Sequence, residues 1–325
     1  MGFVPECRWL VLQYGGIKRV QNSIFVGIKL QFMASSSQLL YRSYLALLAG
    51  VLFTGMSAVV IKMANAPGVV TTFYRMGIGA VVLFIPFLMY WRKHGTLHKR
   101  GVVFAILSGL CFGVDLALWS TAIMDTDTTL PTLAANLAPV WTGLGAMWLF
   151  KEHPRRGFWM GLVIALMGIL VMIAPDLHGN TVVLRSILFG LMAGMLYGIY
   201  YLTAQEGRTQ MDTLPFLFIS TFTSAVVLLV ATLFTGDALV GYPNHTWVIF
   251  VFNGVVVHVV GWWLINFAQG YLRATVVAPT LLGQPIVTVI AAWFILDERH
   301  SLWHIAGGVI VLGGIYLVHW ARRKE

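Results

Sequence analysis

Apolar runs of about 20 residues, separated by short polar breaks, fill the chain from about residue 41 to residue 320. A hydrocarbon layer about 30 Å thick needs an α-helix of about that length to cross it. The breaks carry turn-forming residues, as in Asn65-Ala66-Pro67-Gly68. This pattern predicts an all-α membrane protein with ten transmembrane helices, at residues 43–63, 71–91, 101–122, 130–150, 157–174, 184–204, 214–234, 246–268, 274–295 and 303–320.

The stretch from residue 118 to residue 170 recurs 146 residues later in the chain. In this register 13 of 53 ungapped positions are identical, including Pro139 with Pro285 and Glu152 with Glu298. Such self-similarity at a fixed period indicates an internal duplication. The copies predicted here are 41–174 and 184–320, with five helices each. Because five is odd, the second copy enters the membrane from the opposite side, which predicts two inverted five-helix repeats.

The ends of the chain lie outside the two repeats. Residues 1–40 are predicted to form a poorly structured N-terminal tail, because the apolar piece 23–32 is too short to span and contains Lys29. Met33 opens a polar stretch and is a candidate start, so translation from Met33 is expected to leave membrane insertion intact. Residues 321–325 are predicted to be a basic cytoplasmic tail.

Charge supports membrane orientation and argues against a nucleic-acid partner. Hydrophobic residues make up 58% of the chain and charged residues 10%, against roughly 25% charged residues in soluble domains. The net charge is +9, but the basic residues stand in short clusters between apolar runs. With the N-terminus inside, 17 of the 21 Lys and Arg residues fall on the inner side. The sequence therefore predicts a multi-pass protein of the cell membrane with both termini cytoplasmic.

The duplicated motifs resemble a known family. Each copy carries an apolar helix with a proline, then an acidic residue, then a glycine-rich last helix. In this arrangement the chain resembles the EamA branch of the drug/metabolite transporter superfamily over residues 41–320. The resemblance implies a transporter of small metabolites, amino acids among them, with efflux and uptake both found in the family. The pieces that carry it are Leu137-Ala138-Pro139-Val140 through Lys151-Glu152 and Gly283-Gln284-Pro285-Ile286 through Asp297-Glu298-Arg299.

Two matched features of the repeats favour particular structural roles. Pro139 and Pro285 are predicted to lie in mid-helix, as hinges or cavity-lining residues, because proline removes a backbone donor and loosens a helix. A static kink is the alternative. Glu152 and Glu298 each precede a helix and are predicted to cap it, since an anion favours the positive end of the helix dipole. The glycines of the last helices favour packing within one chain over a dimer contact: Gly161, Gly168, Gly307, Gly308, Gly313 and Gly314.

Ionisable residues inside apolar runs are the candidates for chemistry. Lys62 and Arg75 are predicted near the outer ends of helices, where snorkelling to the interface is the expected behaviour and attraction of a substrate carboxylate the alternative. Asp115 and His258 lie deeper, in corresponding helices of the two copies. Groups at that depth face a partner or a wet cavity. They are predicted to line one aqueous cavity and to bind substrate or protons, with a purely structural pair as the alternative.

Aromatic and amide side chains near these two residues extend the candidate substrate site. The rings supply apolar or cation–π contacts to a substrate, and the amides supply hydrogen bonds. The predicted members are Trp119, Trp262, Asn136, Gln284, Asn266, Tyr197 and Arg75, in addition to Asp115 and His258.

Together these features predict a secondary transporter that moves a small polar or amphipathic metabolite by alternating access. No metal spacing, P-loop or nucleophile motif is present in the sequence, so no cofactor and no enzyme activity are expected. A lipid scramblase, a non-transporting receptor and a membrane-embedded enzyme are the alternatives. The expected partners are a small-molecule substrate and the lipid bilayer, in a monomer or homodimer.

Overall fold

A computed structural model describes residues 38–125, 135–173, 184–296 and 302–322 of the chain, and these residues are helical apart from short connections. The helices follow one another as α1 at 38–55, α2 Ser57–Met63, α3 Gly68–His94, α4 Lys99–Asp125, α5 Ala138–Leu149, α6 Arg156–Ile173 and α7 Leu184–Gln210. They continue as α8 Thr213–Thr235, α9 Asn244–Phe252, α10 Gly261–Gln269, α11 Ala274–Thr280, α12 Gln284–Leu296 and α13 Leu302–Arg322.

Six helical stretches are long and apolar enough to cross a membrane. Two shorter apolar helices, Arg156–Val171 and Ile305–Ala321, accompany them. Large apolar side chains also cover the outer surface, with Phe234 88% exposed and Trp148 83% exposed. A surface of this kind is suited to lipid rather than to water. The chain is therefore a multi-pass membrane protein, and the six stretches are Gln38–Ile61, Gly68–His94, Lys99–Ala122, Thr213–Thr235, Asn244–Gln269 and Ala274–Ile295.

The helices α6 and α13, which end the two copies, pack directly on each other. A Cβ atom on Gly161 would lie 2.7 Å from the carbonyl oxygen of Gly314, and one on Gly168 would lie 2.8 Å from that of Gly307. Small residues let helix backbones approach this closely. The predicted packing within one chain is thus confirmed for these four glycines. A Cβ atom on Gly313, in contrast, would meet nothing within 4 Å.

Two of the helical stretches contain other helix types. A π-helix, Asn253–Val260, joins α9 to α10 without interrupting the rod. A 3₁₀ turn, Leu281–Gly283, joins α11 to α12. The apolar runs of the sequence predicted continuous α-helices over both stretches. Local π turns occur frequently at functional sites, because the extra residue displaces side chains from their regular α positions.

The two matched prolines lie in the first turns of helices. Pro139 stands in the first turn of α5, after a turn at Asn136 and Leu137. Pro285 stands in the first turn of α12, after the 3₁₀ turn. Pro285 nevertheless lies in the middle of the helical stretch Ala274–Ile295, as predicted, and the stretch has a local break there, because a proline without an N–H group fits a first turn, where the donor has no helical partner. Their role as hinges stays a prediction.

The duplication is visible in matched hydrogen bonds between helices. The hydroxyl of Thr142 in α5 donates to the carbonyl oxygen of Gly198 in α7 at 3.5 Å. The hydroxyl of Thr288 in α12 donates to the carbonyl oxygen of Gly55 at 2.6 Å. Thr142 and Thr288 are partners in the 146-residue register. Equivalent residues of the two copies therefore make equivalent contacts in the fold.

Some predictions fall outside the described residues. These include the N-terminal residues 1–37, with the Met33 start, and the capping role of Glu298. The side chain of Lys62 is also outside the described part of the structure. The roles that the sequence predicts for these residues stay predictions.

Candidate substrate site

Three ionisable side chains from both copies are buried together in the helical core. Arg75 of α3 is 4% exposed, Asp115 of α4 is 6% exposed and His258 of the π-helix is 1% exposed. Arg75 interacts electrostatically with both Asp115 and His258. The first copy contributes the arginine and the aspartic acid, and the second contributes the histidine.

Arg75 corrects one of the sequence predictions. Its side chain does not snorkel outward along the helix, because it is buried and its Nη1 atom donates to the Ser57 hydroxyl at 3.0 Å. The distance of a residue from a helix end predicts its depth in the membrane, but it does not predict the helix face on which the residue lies. Arg75 occupies the face that packs on the second copy, where Gly254 approaches its carbonyl oxygen.

His258 is held by two neighbours that sequence reasoning did not identify. Its Nε2 atom lies 2.9 Å from the hydroxyl of Thr221 in α8. The imidazole edge lies over Gly79 of α3, at a place where a Cβ atom would come within 2.7 Å of Cδ2. The ring is thus fixed between helices of both copies.

Several buried polar atoms at this site lack a hydrogen-bonding partner among the described residues. They include Nε of Arg75, Nδ1 of His258 and Nε1 of Trp262. The amide group of Asn253, at the start of the π-helix, is in the same condition at both its nitrogen and its oxygen. A buried donor without an acceptor costs about 1–3 kcal/mol, so these groups are suited to receive a polar ligand.

An aromatic wall lies next to the charged residues. Phe112 stands three residues before Asp115 on α4, and its ring centroid is 4.5 Å from that of Trp262. Tyr197 lies 6.2 Å from Trp262 and interacts electrostatically with Arg75 and Asp115. The rings of the wall therefore come from α4, α7 and α10.

Hydrogen-bonded amides connect this wall to the remaining helices. The Tyr197 hydroxyl interacts with the side chain of Gln284, whose Nε2 atom donates to the Thr54 hydroxyl at 2.6 Å. Asn266 donates to the Tyr200 hydroxyl at 3.1 Å. Gln284 begins α12 beside Pro285, so the 3₁₀ break carries an amide into the site.

The structure brings together seven of the nine predicted site residues. Trp119 and Asn136 are half-buried and are not among the side chains that make the contacts given above. Several contributors were absent from the prediction. A phenylalanine, a glycine and three hydroxyl residues in apolar helices give no distinctive sequence signal: Phe112, Gly79, Ser57, Thr54 and Thr221.

Glu152 makes its contacts in a separate cluster. Its carboxylate accepts a hydrogen bond from the Thr275 hydroxyl at 3.1 Å and lies 3.7 Å from Nε of Arg273. These partners belong to the second copy and were not predicted, while the capping of the following helix by Glu152 stays a prediction. The carboxylate of Glu152 thus contacts residues that are distant from it in the sequence. The cluster borders a small cavity of about 40 Å³.

Among the described residues no group of three or more His, Cys, Asp or Glu side chains could hold a metal ion. The core instead brings together a buried arginine, a buried aspartic acid, an imidazole and aromatic faces.

Two curated transporters are similar in sequence to this chain. The S-adenosylmethionine uptake transporter of Rickettsia prowazekii is 21% identical over 253 residues, which cover 78% of this chain and 83% of the relative. The pseudopaline exporter CntI of Pseudomonas aeruginosa is 25% identical over 272 residues, which cover 82% of this chain and 92% of the relative.

A solved crystal structure of a protein that is 15% identical matches the fold, with a TM-score of 0.72 over 90% of this chain and 99% of that chain. The relatives are transporters and not enzymes, which confirms the expected class. The model of the EamA-like transporter family matches residues 41–174 and 184–320. These two segments are the two copies of the duplication, and the chain belongs to the EamA-like transporter family.

Proposed function

We propose that the protein is a secondary transporter that moves a small polar or amphipathic metabolite by alternating access. The observation that carries the proposal is the cluster of Arg75, Asp115 and His258. Buried charges in a membrane protein are costly and mark pathways for substrates or ions. This cluster lies where helices of both copies meet, which is where a carrier built from inverted repeats places its site.

The proposed architecture is ten transmembrane helices in two inverted repeats, with both termini in the cytoplasm. Four further helices are too short or too polar to count as membrane spans by length and hydropathy alone: α5, α6, α7 and α13. They supply the remaining spans in this proposal, supported by the duplication and by the distribution of basic residues. Labelling by an impermeant thiol reagent at single cysteines placed at positions 66 and 243, but not at 95 and 208, tests the orientation.

Alternating access requires two packings of similar free energy. Two similar copies in opposite orientation provide such packings, because rocking of one copy exposes the shared site to each side in turn. Pro139 and Pro285 are the proposed hinges, since both begin helical segments next to the site. The side chains of Arg75, Asp115 and His258 are shielded from water in the conformation described here.

Asp115 and His258 are the proposed residues for substrate or proton binding. Trp262 and Trp119 supply apolar or cation–π contacts, and Asn136, Asn266, Gln284 and Tyr197 supply hydrogen bonds. The relatives carry S-adenosylmethionine and pseudopaline, and a small polar metabolite is accordingly proposed for this chain.

Counterflow in proteoliposomes tests the proposal. Purified full-length protein is reconstituted, the vesicles are loaded with one compound of a metabolite panel, and entry of the same labelled compound is measured. A transporter gives substrate-dependent counterflow, and Asp115→Asn and His258→Ala reduce it while the protein stays in the membrane. A scramblase or a receptor gives none. Normal counterflow by both variants would remove Asp115 and His258 from the proposed site.

A further inference from the structure

Glu152 joins the two copies at the end of the bundle that is proposed to face the cytoplasm. Its carboxylate accepts a hydrogen bond from the buried hydroxyl of Thr275 at 3.1 Å and lies 3.7 Å from Nε of Arg273, whose side chain is 53% exposed. An ion pair that water reaches contributes little, whereas a hydrogen bond from a buried hydroxyl to a carboxylate contributes more. The bond to Thr275 is therefore the principal link.

The end of α5 places this carboxylate. The backbone N–H of Glu152 donates to the carbonyl oxygen of Ala146 at 3.2 Å. Lys151, just before it, has a φ of 53°, in the left-handed region. A left-handed residue with a hydrogen bond back to the last turn is a typical helix C-terminal cap. The position of the carboxylate is thus fixed by the way in which α5 ends.

The residues that Glu152 contacts stand at the start of α11. The first N–H group of this helix, on Ala274, donates to the side-chain oxygen of Gln205 in α7. α5 is bonded to the same helix through Thr142 and Gly198. Both segments are therefore held on α7, and the bond from Thr275 to Glu152 links them to each other.

A small cavity lies beside this link. It has a volume of about 40 Å³, and its lining includes Val276 and Phe158, which are 2% and 6% exposed. A cavity of this size holds about three water molecules at most. A metabolite therefore cannot pass between α5 and α11 at this place.

Both members of the link recur in the sequence of the other copy. In the 146-residue register Glu152 corresponds to Glu298, and Thr275 corresponds to Thr129. A helix cap needs only the glutamate, whereas a contact between the copies needs both residues. The repeated pair therefore favours a contact that belongs to the architecture of both copies. Thr129 and Glu298 themselves lie outside the described residues.

We propose that the bond between Thr275 and Glu152 is a latch that holds the cytoplasmic end of the transporter closed and that breaks in each transport cycle. This inference rests on the proposed function and adds a residue outside the candidate substrate site. In alternating access only one side of the site is open at a time. A contact that closes one end is thus absent while that end is open, and its removal shifts the population toward the open state.

The test measures how often this end opens in the purified full-length protein. Val276→Cys places a thiol at the cavity, in a chain in which the two natural cysteines, Cys7 and Cys111, are replaced by alanine. A polar maleimide reaches the thiol only while the end is open, so the rate of labelling follows the open fraction.

Two substitutions of Thr275 give opposite results. Thr275→Val removes the hydroxyl and keeps the shape of the side chain, and it should raise the labelling rate about tenfold. Thr275→Ser keeps the hydroxyl and should leave the labelling rate unchanged. Glu152→Gln, which keeps the size of the side chain, should also raise the rate. Its combination with Thr275→Val should add little, because both changes weaken the same bond.

Glu206→Gln is the matched control. The carboxylate of Glu206 pairs with Arg100 at 2.7 Å and also joins the two copies. Neither of these residues lines the cavity. The control should therefore leave the labelling rate at position 276 unchanged. Unchanged labelling in both Thr275→Val and Glu152→Gln would overturn the latch, whatever the effect of these variants on Tm.

A reversible bridge tests the need for the latch to break. In the cysteine-free chain, Glu152→Cys and Thr275→Cys are joined by a short bifunctional reagent that forms disulfides with both thiols. The bridge should abolish counterflow in proteoliposomes, and a reductant should restore it. Full counterflow by the bridged protein would overturn the latch and leave the transporter in place. An absence of counterflow by the unaltered protein for every compound of the panel overturns the transporter, whereas the labelling rates need no substrate.

Discussion

Two helix interfaces of this protein are copies of each other, and only the first contains Arg75 and His258. In the first, the start of the π-helix packs on α3, where a Cβ atom on Gly254 would lie 2.8 Å from Cβ of Ile78 and 3.2 Å from the carbonyl oxygen of Arg75. In the second, α4 packs on α8, where a Cβ atom on Gly109 would lie 2.6 Å from Cβ of Thr223 and 2.5 Å from the carbonyl oxygen of Ser220. Each of these residues is 145 positions from its counterpart.

The side chains at the matched positions differ in a consistent way. Ser220 stands in the second interface where Arg75 stands in the first, and Gly113 stands where His258 stands. Duplication thus provided two similar helix contacts, and substitution placed Arg75 and His258 in one of them. A carrier needs near-equivalent packings for its motion, but its substrate needs only one set of contacts. The two interfaces therefore differ in the side chains that the proposed site uses.

The helix that carries His258 also differs in its backbone. Counterparts before it are 145 residues apart, as in Gly109 and Gly254, whereas counterparts after it are 146 residues apart, as in Leu118 and Leu264. The second copy therefore holds one additional residue. The π-helix Asn253–Val260 accounts for it, because a π turn accommodates one residue more than an α turn. The corresponding part of the first copy lies within the continuous helix α4.

The largest effect is expected from deleting one residue in each of these helices. Val260 and Val114 are both 38% exposed and are counterparts in the 146-residue register. Deletion of Val260 should convert the π-helix to an α-helix, keep both flanking faces in place and preserve the fold. It should lower counterflow at least about tenfold, because the wide turn that displaces His258 and Asn253 is lost.

Deletion of Val114 is the matched control, and size-exclusion chromatography is the measurement. Without a π-helix to absorb the change, the rest of α4 should rotate by about 100°, since an α-helix has 3.6 residues per turn. The Val114 deletion should therefore lose the monodisperse peak that the Val260 deletion keeps. Equal behaviour of the two deletions would contradict the assignment of the extra residue to the π-helix.

A smaller effect is expected where glycines meet the opposite helix. Gly79→Ala should destabilise the protein by about 1–3 kcal/mol, because the new methyl group would lie 2.7 Å from Cδ2 of His258. His258→Ala in the same chain should remove most of that cost, so the two changes should be non-additive. Thermal unfolding followed by tryptophan fluorescence measures both, and simple additivity would mean that the ring and the glycine are not in contact.

Gly113→Ala is the control for this cycle. A Cβ atom there would lie 2.8 Å from Cβ of Val227 and 3.0 Å from Cα of Ser224, so the obstacle includes backbone. His258→Ala should give no relief to Gly113→Ala, because His258 is not part of that contact.

The sequence predicted the parts of this fold that depend on local patterns. Six of the ten predicted apolar segments correspond to helical stretches that are long and apolar enough to cross a membrane, since helix length follows from hydrophobic thickness. The duplication, and the depth of Asp115 and His258, could be found because ionisable residues stand out in apolar runs. The π-helix also has a signal in the sequence, which the prediction missed. The distance between counterparts in the two copies changes from 145 residues at Gly254 to 146 residues at Leu264.

Contacts between distant segments were predicted less well. Arg75 was placed at a helix end, because hydropathy gives no information about which face packs on Gly254. Glu152 was interpreted as a cap, because its partner Thr275 is 123 residues away in the sequence. The misplaced arginine and the missed partners of Glu152 have one cause. The partner of a polar residue is set by the folded structure. A single sequence identifies a distant partner only where an internal repeat or another long-range relation points to it.

The smallest expected effect concerns the matched threonines. The bond from Thr288 to the carbonyl oxygen of Gly55 is 2.6 Å long, and the bond from Thr142 to that of Gly198 is 3.5 Å long. Thr288→Val should cost about 1 kcal/mol of stability, because a short bond between helices is lost, and Thr142→Val should cost less because its bond is long. Each threonine also bonds within its own helix, to Gln284 or Ala138, which affects both variants similarly. Thermal unfolding in detergent shows which of the two variants loses more stability. A greater loss for Thr142→Val would show that the two copies do not share this contact in the way that the distances indicate.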